Sequence, residues 1–352
     1  MEGRSHRSPS GGRDLTEASR PVSAPVAIVI PNLDGAHWLT GCLRSLTAQT
    51  LPAAEIIVAD DGSIDDSAAV CAAFGAHFLP GDGPPRSGFA ATVSRGIAAT
   101  NADVEWIMLL NNDVEAHPDF LAALIAGALR HPNCGVLAPL VRSLRDRSRI
   151  DSAGLLLYPD GVARPRWHGE RVDAHRMREE QILLPSGTAV MIRRATFERV
   201  GPLDLSLGSY LEDVDWGLRA ARSGVVTMFI PDAVVDHHFS GTFGETSPAK
   251  ATLVERNRIV VAARHLPLTM LLTSPWWTLR RWRALSSADA GSTPGVRRAA
   301  LGGVVRGLTA LPKSSRERRS LHHQGLTLDR DWRAHLRQHA CGPEAFSHFG
   351  GQ

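Results

Sequence analysis

A chain of 352 residues with 43% hydrophobic content and a formal net charge of +3 is long and apolar enough for one large packed domain with a smaller appendage, which excludes fibrous and wholly disordered classes. Its four cysteines, Cys42, Cys71, Cys134 and Cys341, lack paired spacing, so neither a disulfide framework nor a structural zinc site is indicated and a reducing compartment is expected. The charge is uneven, since residues 264–338 hold 14 Lys or Arg against 4 Asp or Glu.

Residues 1–25 are rich in Ser, Arg, Gly and Pro and lack the apolar stretch of a secretory signal, and are expected to be a disordered tail. Val26–Ile30 is a continuous apolar run, as in a parallel strand covered on both faces, and turn residues Pro31–Gly35 end it. Trp38, Leu39, Cys42, Leu43 and Leu46 recur at helical spacing, and Glu55–Ala59 reads as a second strand ending in Asp60-Asp61-Gly62-Ser63. A helix is predicted over 65–74 with Gly75 as its stop, then a short strand over 76–79 and a Gly/Pro-rich loop to Gly88.

A further strand over 105–110 ends at Asn111-Asn112-Asp113, and Pro118 opens a helix whose predicted buried face is Phe120, Leu121, Leu124, Ile125 and Leu129. Strands over 188–192 and 225–230 flank a helix predicted from Val214 to Arg222 and closed by Gly224. This alternation predicts an α/β fold with a mainly parallel central sheet flanked by helices. Ligands of such sheets bind outside the carboxyl ends of the strands, where the polar clusters fall. Neither a G-x-G-x-x-G after the first strand nor a P-loop is present, so dinucleotide and P-loop chemistry lack support.

The order of Pro31–Gly35, Cys42–Leu46 with Gln49-Thr50, Asp60–Ser63, Leu110–Asp113, Glu212–Asp215, His237 and Glu255–Arg258 resembles glycosyltransferase family 2, particularly its bacterial rhamnosyltransferase-like branch. The resemblance spans about residues 26–266 and implies a GT-A-type domain there, preceded by the tail 1–25 and followed by a basic, helical appendage over 267–352. It implies that Pro31, Asn32, Asp60, Asp61, Arg86, Gly88, Asn112 and Gly187 hold the nucleotide sugar, with Asp60 or Asp61 accepting the imide N–H of the base. Asn111, Asp113 and His237 are implied to hold Mg²⁺ or Mn²⁺ against the diphosphate, which must complete the coordination. Asp213 is the implied general base with Glu212 its orienting neighbour, and Trp216, Arg256 and Arg258 are implied near diphosphate or acceptor.

Plainer readings attach to the same residues. Asp61 or Ser63 can cap the helix beginning near Asp65, Asn111–Asp113 can be a polar turn, and Asp215 can pair with Arg219 one turn on. One segment departs from the family pattern: in Arg86–Ile97 the usual asparagines are replaced by Arg86 and Ser94 and a glycine by Thr92, so Arg86 is a candidate to pair with diphosphate.

The implied reaction is an inverting, metal-dependent transfer from a nucleoside-diphosphate sugar, with thymidine diphosphate-rhamnose the leading donor, to a hydroxyl of a glycan or lipid-linked acceptor. A non-catalytic nucleotide-sugar-binding or scaffold protein is the alternative, and a sugar nucleotidyltransferase is disfavoured because its Gly-rich N-terminal signature is missing. No 18-residue apolar span is present, so a cytoplasmic protein is expected. Trp276, Trp277 and Trp282 beside Arg280, Arg281 and Arg283 suit an anionic membrane surface as well as packing on the main domain; no nucleic-acid module accompanies the charge.

Overall fold

The apolar runs read from the sequence become the central strands of one sheet in the computed structural model, which describes residues 23–83, 86–238, 247–288, 294–323, 332 and 334–336. The first part runs β1 (Ala24–Asn32), α1 (Ala36–Thr47), β2 (Ala53–Asp60), α2 (Ser67–Phe74), β3 (His77–Leu79), α3 (Phe89–Ala98), β4 (Trp106–Leu110), β5 (Val114–Ala116) and α4 (Phe120–Arg130). The middle part runs β6 (Cys134–Ser143), β7 (Ile150–Ser152), β8 (Leu155–Leu157), β9 (Ala163–Pro165), β10 (Glu180–Ile182), β11 (Ala189–Arg193), α5 (Arg194–Val200), α6 (Glu212–Arg222) and β12 (Val226–His237). Helices α7 (Pro248–His265), α8 (Leu268–Ala288), α9 (Pro294–Thr309) and α10 (Leu311–His323) complete it.

The sheet order is β10-β12-β6-β11-β4-β1-β2-β3, with β5 added to β12 and β7 to β6. Its long ladders are mainly parallel, as expected, with shorter antiparallel pairings added. Strands β3, β2, β1 and β4 run parallel, as do β6 and β12, but β11 lies antiparallel to both β4 and β6 and joins the two halves. The chain leaves the carboxyl end of β6 for an excursion through β7–β10 and re-enters at that same end, so β11 must run backwards. Strand β6 escaped the sequence reading because Gly135 and Pro139 interrupt its apolar run. Pro139 stands opposite Ile230, where the β6–β12 register shifts and the missing N–H is accommodated.

Alternation along the central strands fills both faces. Ile28, Ile30, Met108 and Leu110 pack with Leu39 and Leu43 of α1 and with Phe120 and Leu121 of α4 on one side. On the other, Val29, Ile107 and Leu109 pack with Val93 and Ile97 of α3, Phe197 of α5 and Trp216 of α6. The predicted α4 face is corrected at one position: Leu129 is 78% exposed, and Gly127 and Ala128 take the inner places. A Cβ on Gly127 would meet Ile230 Cδ1 at 2.9 Å, so any larger residue would make the Ile230 side chain give way where α4 packs on β12.

Helix α6 begins at Glu212, two residues earlier than predicted, which puts its acids inside the first turn. The same turn is tied to the C-terminal helices through its third acid. Asp215, buried, accepts from Arg219 Nε at 3.1 Å, from Arg264 Nη1 at 3.1 Å and from His265 Nε2 at 2.9 Å, while Arg264 also pairs with Glu317 of α10 at 2.7 Å. Among the described residues no helix is long and apolar enough to cross a membrane. Cys42, Cys71 and Cys134 are buried free thiols; Cys341 and residues 1–22 of the expected tail 1–25 lie outside the described residues, and the tail is corrected at its end, where Ala24 and Pro25 already belong to β1.

Candidate active site

Three parallel strands end together, and a chain of amide and carboxylate groups ties their ends. Asn32, last in β1, donates from Nδ2 to Asp60 Oδ1 of β2 at 3.0 Å and to Ser67 Oγ at 2.9 Å, while its Oδ1 accepts from Asn112 Nδ2 beyond β4 at 2.7 Å. Gly35 makes room for this pair, since a Cβ there would sit 2.2 Å from Asn112 Nδ2. Asp60 closes its own turn by accepting from the backbone N–H of Gly62 (2.9 Å) and Ser63 (2.7 Å). Pro31, one residue before Asn32, faces Ala59 across β1 and β2.

Asp61 does not cap the helix near Asp65. Its carboxylate instead accepts from the backbone N–H of Ser87 and Gly88, each at 2.9 Å, and so fixes the start of α3, where Gly88 has φ +84°. Burial would raise its pKa, but these bonds and the Ser87 hydroxyl hold it below the ordinary aspartate range. Arg86, expected toward diphosphate, pairs with Asp34 at 2.7 Å, and both side chains are substantially exposed. The pair therefore stands at the rim of the same strand-end crevice.

The metal candidates meet on the far side of β4. His237, last in β12, faces Val114 of β5, and the next residue, His238, donates its N–H to the Asp113 carbonyl at 2.9 Å. His237 Nε2 lies 3.3 Å from Asp113 Oδ1, a buried oxygen with no hydrogen-bond partner. On its other edge, His237 Nδ1 lies 2.8 Å from Asp151 Oδ2 of β7, and Asp151 in turn lies 3.2 Å from His168 Nδ1. Burial would lower the His237 pKa, yet the Asp113 and Asp151 carboxylates raise it to about 9. Asp151 was missed in the sequence because a short strand inside a long excursion carries no motif; an Asp backing an inward-facing His is recognisable only in three dimensions. No group of three or more His, Cys, Asp or Glu poised to hold a metal occurs among the described residues. The Asp113 oxygen, paired at 3.3 Å with the His237 ring but holding no hydrogen bond of good geometry, nevertheless fits a cation that takes its remaining ligands from elsewhere.

Strand β11 brings the carboxylate pair to this end of the sheet. The N–H of Asn111 donates to Thr188 O at 3.0 Å, so Gly187 lies beside the Asn111–Asp113 triplet. Gly187 N–H then donates to Asp213 Oδ2 at 2.8 Å, and Val214 N–H to Asp213 Oδ1 at 2.8 Å. Glu212 is buried and its Oε2 has no hydrogen-bond partner. Burial, followed by the neighbouring Asp213 charge, raises the Glu212 pKa well above the usual carboxylate range; burial raises Asp213 too, against its two backbone donors. The donors favour charge on Asp213, which keeps an accessible edge, and leave Glu212 as the protonated partner.

The turn that presents this pair is strained. Tyr210 and Leu211 have φ of +70° and +66°, a region that side-chain-bearing residues seldom enter. Asn257 of α7, fully buried, holds the turn: its Nδ2 donates to the carbonyls of Leu207 (3.0 Å), Ser209 (3.0 Å) and Tyr210 (2.7 Å). The sequence reading singled out its neighbours Arg256 and Arg258 instead. Arg256 braces the Asn257 amide at 2.7 Å, and Arg258 is buried against Glu255 and the Asp160 carbonyl, remote in bonding from the crevice. Trp216 is likewise corrected: it is buried in the core with Phe197 and Val190, and its indole N–H is donated to Gly201 O at 2.9 Å.

Residues 27–201 match the family model described as Glycosyl transferase family 2. An N-acetylglucosaminyl-diphospho-decaprenol L-rhamnosyltransferase of Mycobacterium tuberculosis is 28% identical over 273 residues, covering 70% of this chain and 86% of that protein. The galactofuranosyltransferase GlfT2 of the same species is 26% identical over 290 residues, or 73% of this chain and 44% of that one. Among solved structures, S. aureus TarS 1–349 aligns with a TM-score of 0.51 at 15% identity over 86% of this chain and 93% of that one. GalNAc-T7, solved with UDP, GalNAc and Mn²⁺, aligns with a TM-score of 0.57 at 14% identity over 84% and 56%. These structural likenesses establish the GT-A fold.

Proposed function

Starting from a chain that carries a glycosyl transferase family 2 domain over residues 27–201 and is a glycosyltransferase of the rhamnosyltransferase-like kind, we propose that it moves a sugar from a nucleoside-diphosphate sugar to a hydroxyl of a lipid-linked or glycan acceptor, with inversion. The observation that carries the proposal is the bond from Gly187 N–H to Asp213, which sets the carboxylate pair beside the Asn111–Asp113 strand end. Rhamnose, from a thymidine diphosphate donor, is the proposed sugar, supported by likeness to the mycobacterial rhamnosyltransferase, whose name also supplies the lipid-linked acceptor. The proposed setting is the cytoplasmic face of the membrane that carries such an acceptor.

The nucleotide lies over the ends of β1, β2 and β4, near Pro31, Asn32, the Asp60-Asp61 turn, Gly88 and Asn112, with Arg86 at the rim available to the diphosphate. Asp113 and His237, with Asn111 adjacent, would hold Mg²⁺ or Mn²⁺, which would supply positive charge to offset that on the departing diphosphate. Asp213 takes the proton of the acceptor hydroxyl as its oxygen attacks the anomeric carbon and the bond to the diphosphate oxygen breaks. Glu212, protonated, avoids a second buried charge beside the base. Nucleoside diphosphate release from a panel of donors, with metal and then with chelator, tests this in wild type and Asp213→Asn. Metal-dependent release from one donor that the substitution abolishes supports the reading; binding of a donor with no release under any acceptor favours the non-catalytic alternative.

A further inference from the structure

Ten large apolar side chains are exposed among the described residues, and seven of them lie on two neighbouring helices. On α8, Leu268, Leu272, Trp276 and Leu279 recur at spacings that fall within about 80° of one face of an ideal helix. On α9, Leu301, Val305 and Leu308 do the same within about 60°. Their exposure runs from 46% at Leu279 to 82% at Leu272, which is far from the core-facing value of a packed stripe.

The opposite faces of both helices are firmly occupied. Arg281 of α8 is buried between Asp160 and Glu255, at 2.8 Å from each, and Trp282 donates its indole N–H to Glu255 at 3.1 Å. Helix α9 presses on α7 through two glycines: a Cβ on Gly303 would sit 2.4 Å from Thr252 O, and one on Gly307 2.8 Å from Ile259 Cδ1. Glu255 adjoins both helices, since it also lies 3.0 Å from that Gly303 position. The two stripes are thus held outward by a rigid inner packing.

Charge decides what covers them. Arg280, Arg283, Arg297, Arg298 and Arg306 are all exposed on these helices, and no acidic side chain accompanies them within α8 or α9. The Arg280 guanidinium lies 5.4 Å from the Trp276 ring, so cation and indole share one side of α8. A second copy would bring five like charges against five, whereas a surface of anionic headgroups over acyl chains satisfies arginines and leucines together.

We propose that the outer faces of α8 and α9 form a docking surface for an anionic lipid bilayer, with Leu272, Trp276, Leu301 and Val305 entering the acyl boundary and the flanking arginines meeting headgroups. It deepens the proposed lipid-linked acceptor reading by naming how the protein reaches that acceptor, yet it is tested without donor or acceptor.

The full chain is sedimented with vesicles of phosphatidylglycerol and phosphatidylcholine, and with phosphatidylcholine alone. Binding to the anionic vesicles is expected, weakened at least about tenfold by Leu272→Glu with Trp276→Glu, by Arg280→Gln with Arg283→Gln, and by high salt. Both variants keep the wild-type melting temperature and nucleoside diphosphate release, because none of the four side chains touches the crevice. Absence of binding to anionic vesicles overturns the proposal, as does binding that both variants leave unchanged. Sedimentation velocity without lipid supplies the remaining arm: a dimer that the Leu272→Glu, Trp276→Glu chain loses would assign the face to a second copy and overturn the bilayer. Loss of sugar transfer with vesicle binding intact would count against the function proposed above and not against this surface.

Discussion

Replacing Asn257 by alanine removes the clamp on the turn before Glu212 while leaving both carboxylates of the pair in place; the one other side-chain bond it loses is that from Arg256. Its amide supplies two hydrogens to three carbonyls at 2.7–3.0 Å, in a fully buried setting. Two such bonds contribute about 1–3 kcal/mol net, and carbonyls left dry and unpaired add to that cost. Against this stand Tyr210 and Leu211, whose positive φ costs on the order of 1–2 kcal/mol each. The two quantities are comparable, so without Asn257 the turn is expected to relax out of the left-handed region and carry Asp213 with it. A displacement of roughly 1 Å at a reacting group costs about a hundredfold in rate. Steady-state nucleoside diphosphate release should therefore show kcat falling about a hundredfold with the donor KM nearly unchanged, alongside a lowered melting temperature. A kcat within twofold of wild type would refute the reasoning, whatever the melting temperature does.

Gly187→Ala places a Cβ 3.0 Å from Asp213 Oδ2 and 3.2 Å from its Cβ, so the carboxylate must shift; kcat is expected to drop at least about tenfold, and a normal kcat would show that the bond from Gly187 is not what aims the base. Glu212→Gln copies the protonated side chain and should stay within about tenfold of wild type, whereas Asp213→Asn loses the base; equal damage from both would place the proton on the wrong carboxylate. Because burial raises the Asp213 pKa, kcat/KM should fall on the acid side with a midpoint above the ordinary aspartate value of about 4, and a limb at or below that value contradicts the assignment. Asp151→Asn removes the carboxylate behind His237, and Mn²⁺ affinity in the presence of nucleoside diphosphate, read by electron paramagnetic resonance, should weaken about 10- to 100-fold; unchanged affinity would leave Asp151 a purely structural partner.

The strands that carry the crevice were legible because burial on both faces leaves runs such as Val26–Ile30 with no polar interruption. Their polar ends were legible for the opposite reason, since a strand that stops in Asn32, Asp60 or Asn112 must satisfy those groups somewhere. What escaped was long-range. The reversed direction of β11 depends on where an excursion re-enters the sheet, and Asp151 and Asn257 act across 86 and 47 or more residues of sequence. In the Glu255–Arg258 segment the charged residues drew the functional reading, while the neutral Asn257 between them makes the contact that bears on the site.

Strand β12 sits inside the sheet although it is the last strand made among the described residues. Its partner β6 pairs with it from Cys134 opposite Val226 to Ser143 opposite His237, segments roughly 90 residues apart, and the matched family segment ends at residue 201, before β12 begins. At a translation rate of about 5–20 residues per second, the apolar edge of β6 waits about 5–20 s for that partner to be synthesised. During that interval the nascent chain presents Gly135–Val141 as an open template to any other extended segment. Yield of the folded protein should therefore respond to translation speed and to chaperone supply over codons 134–237 more than to any single substitution in the crevice, and a piece ending at residue 201 would keep that edge open permanently.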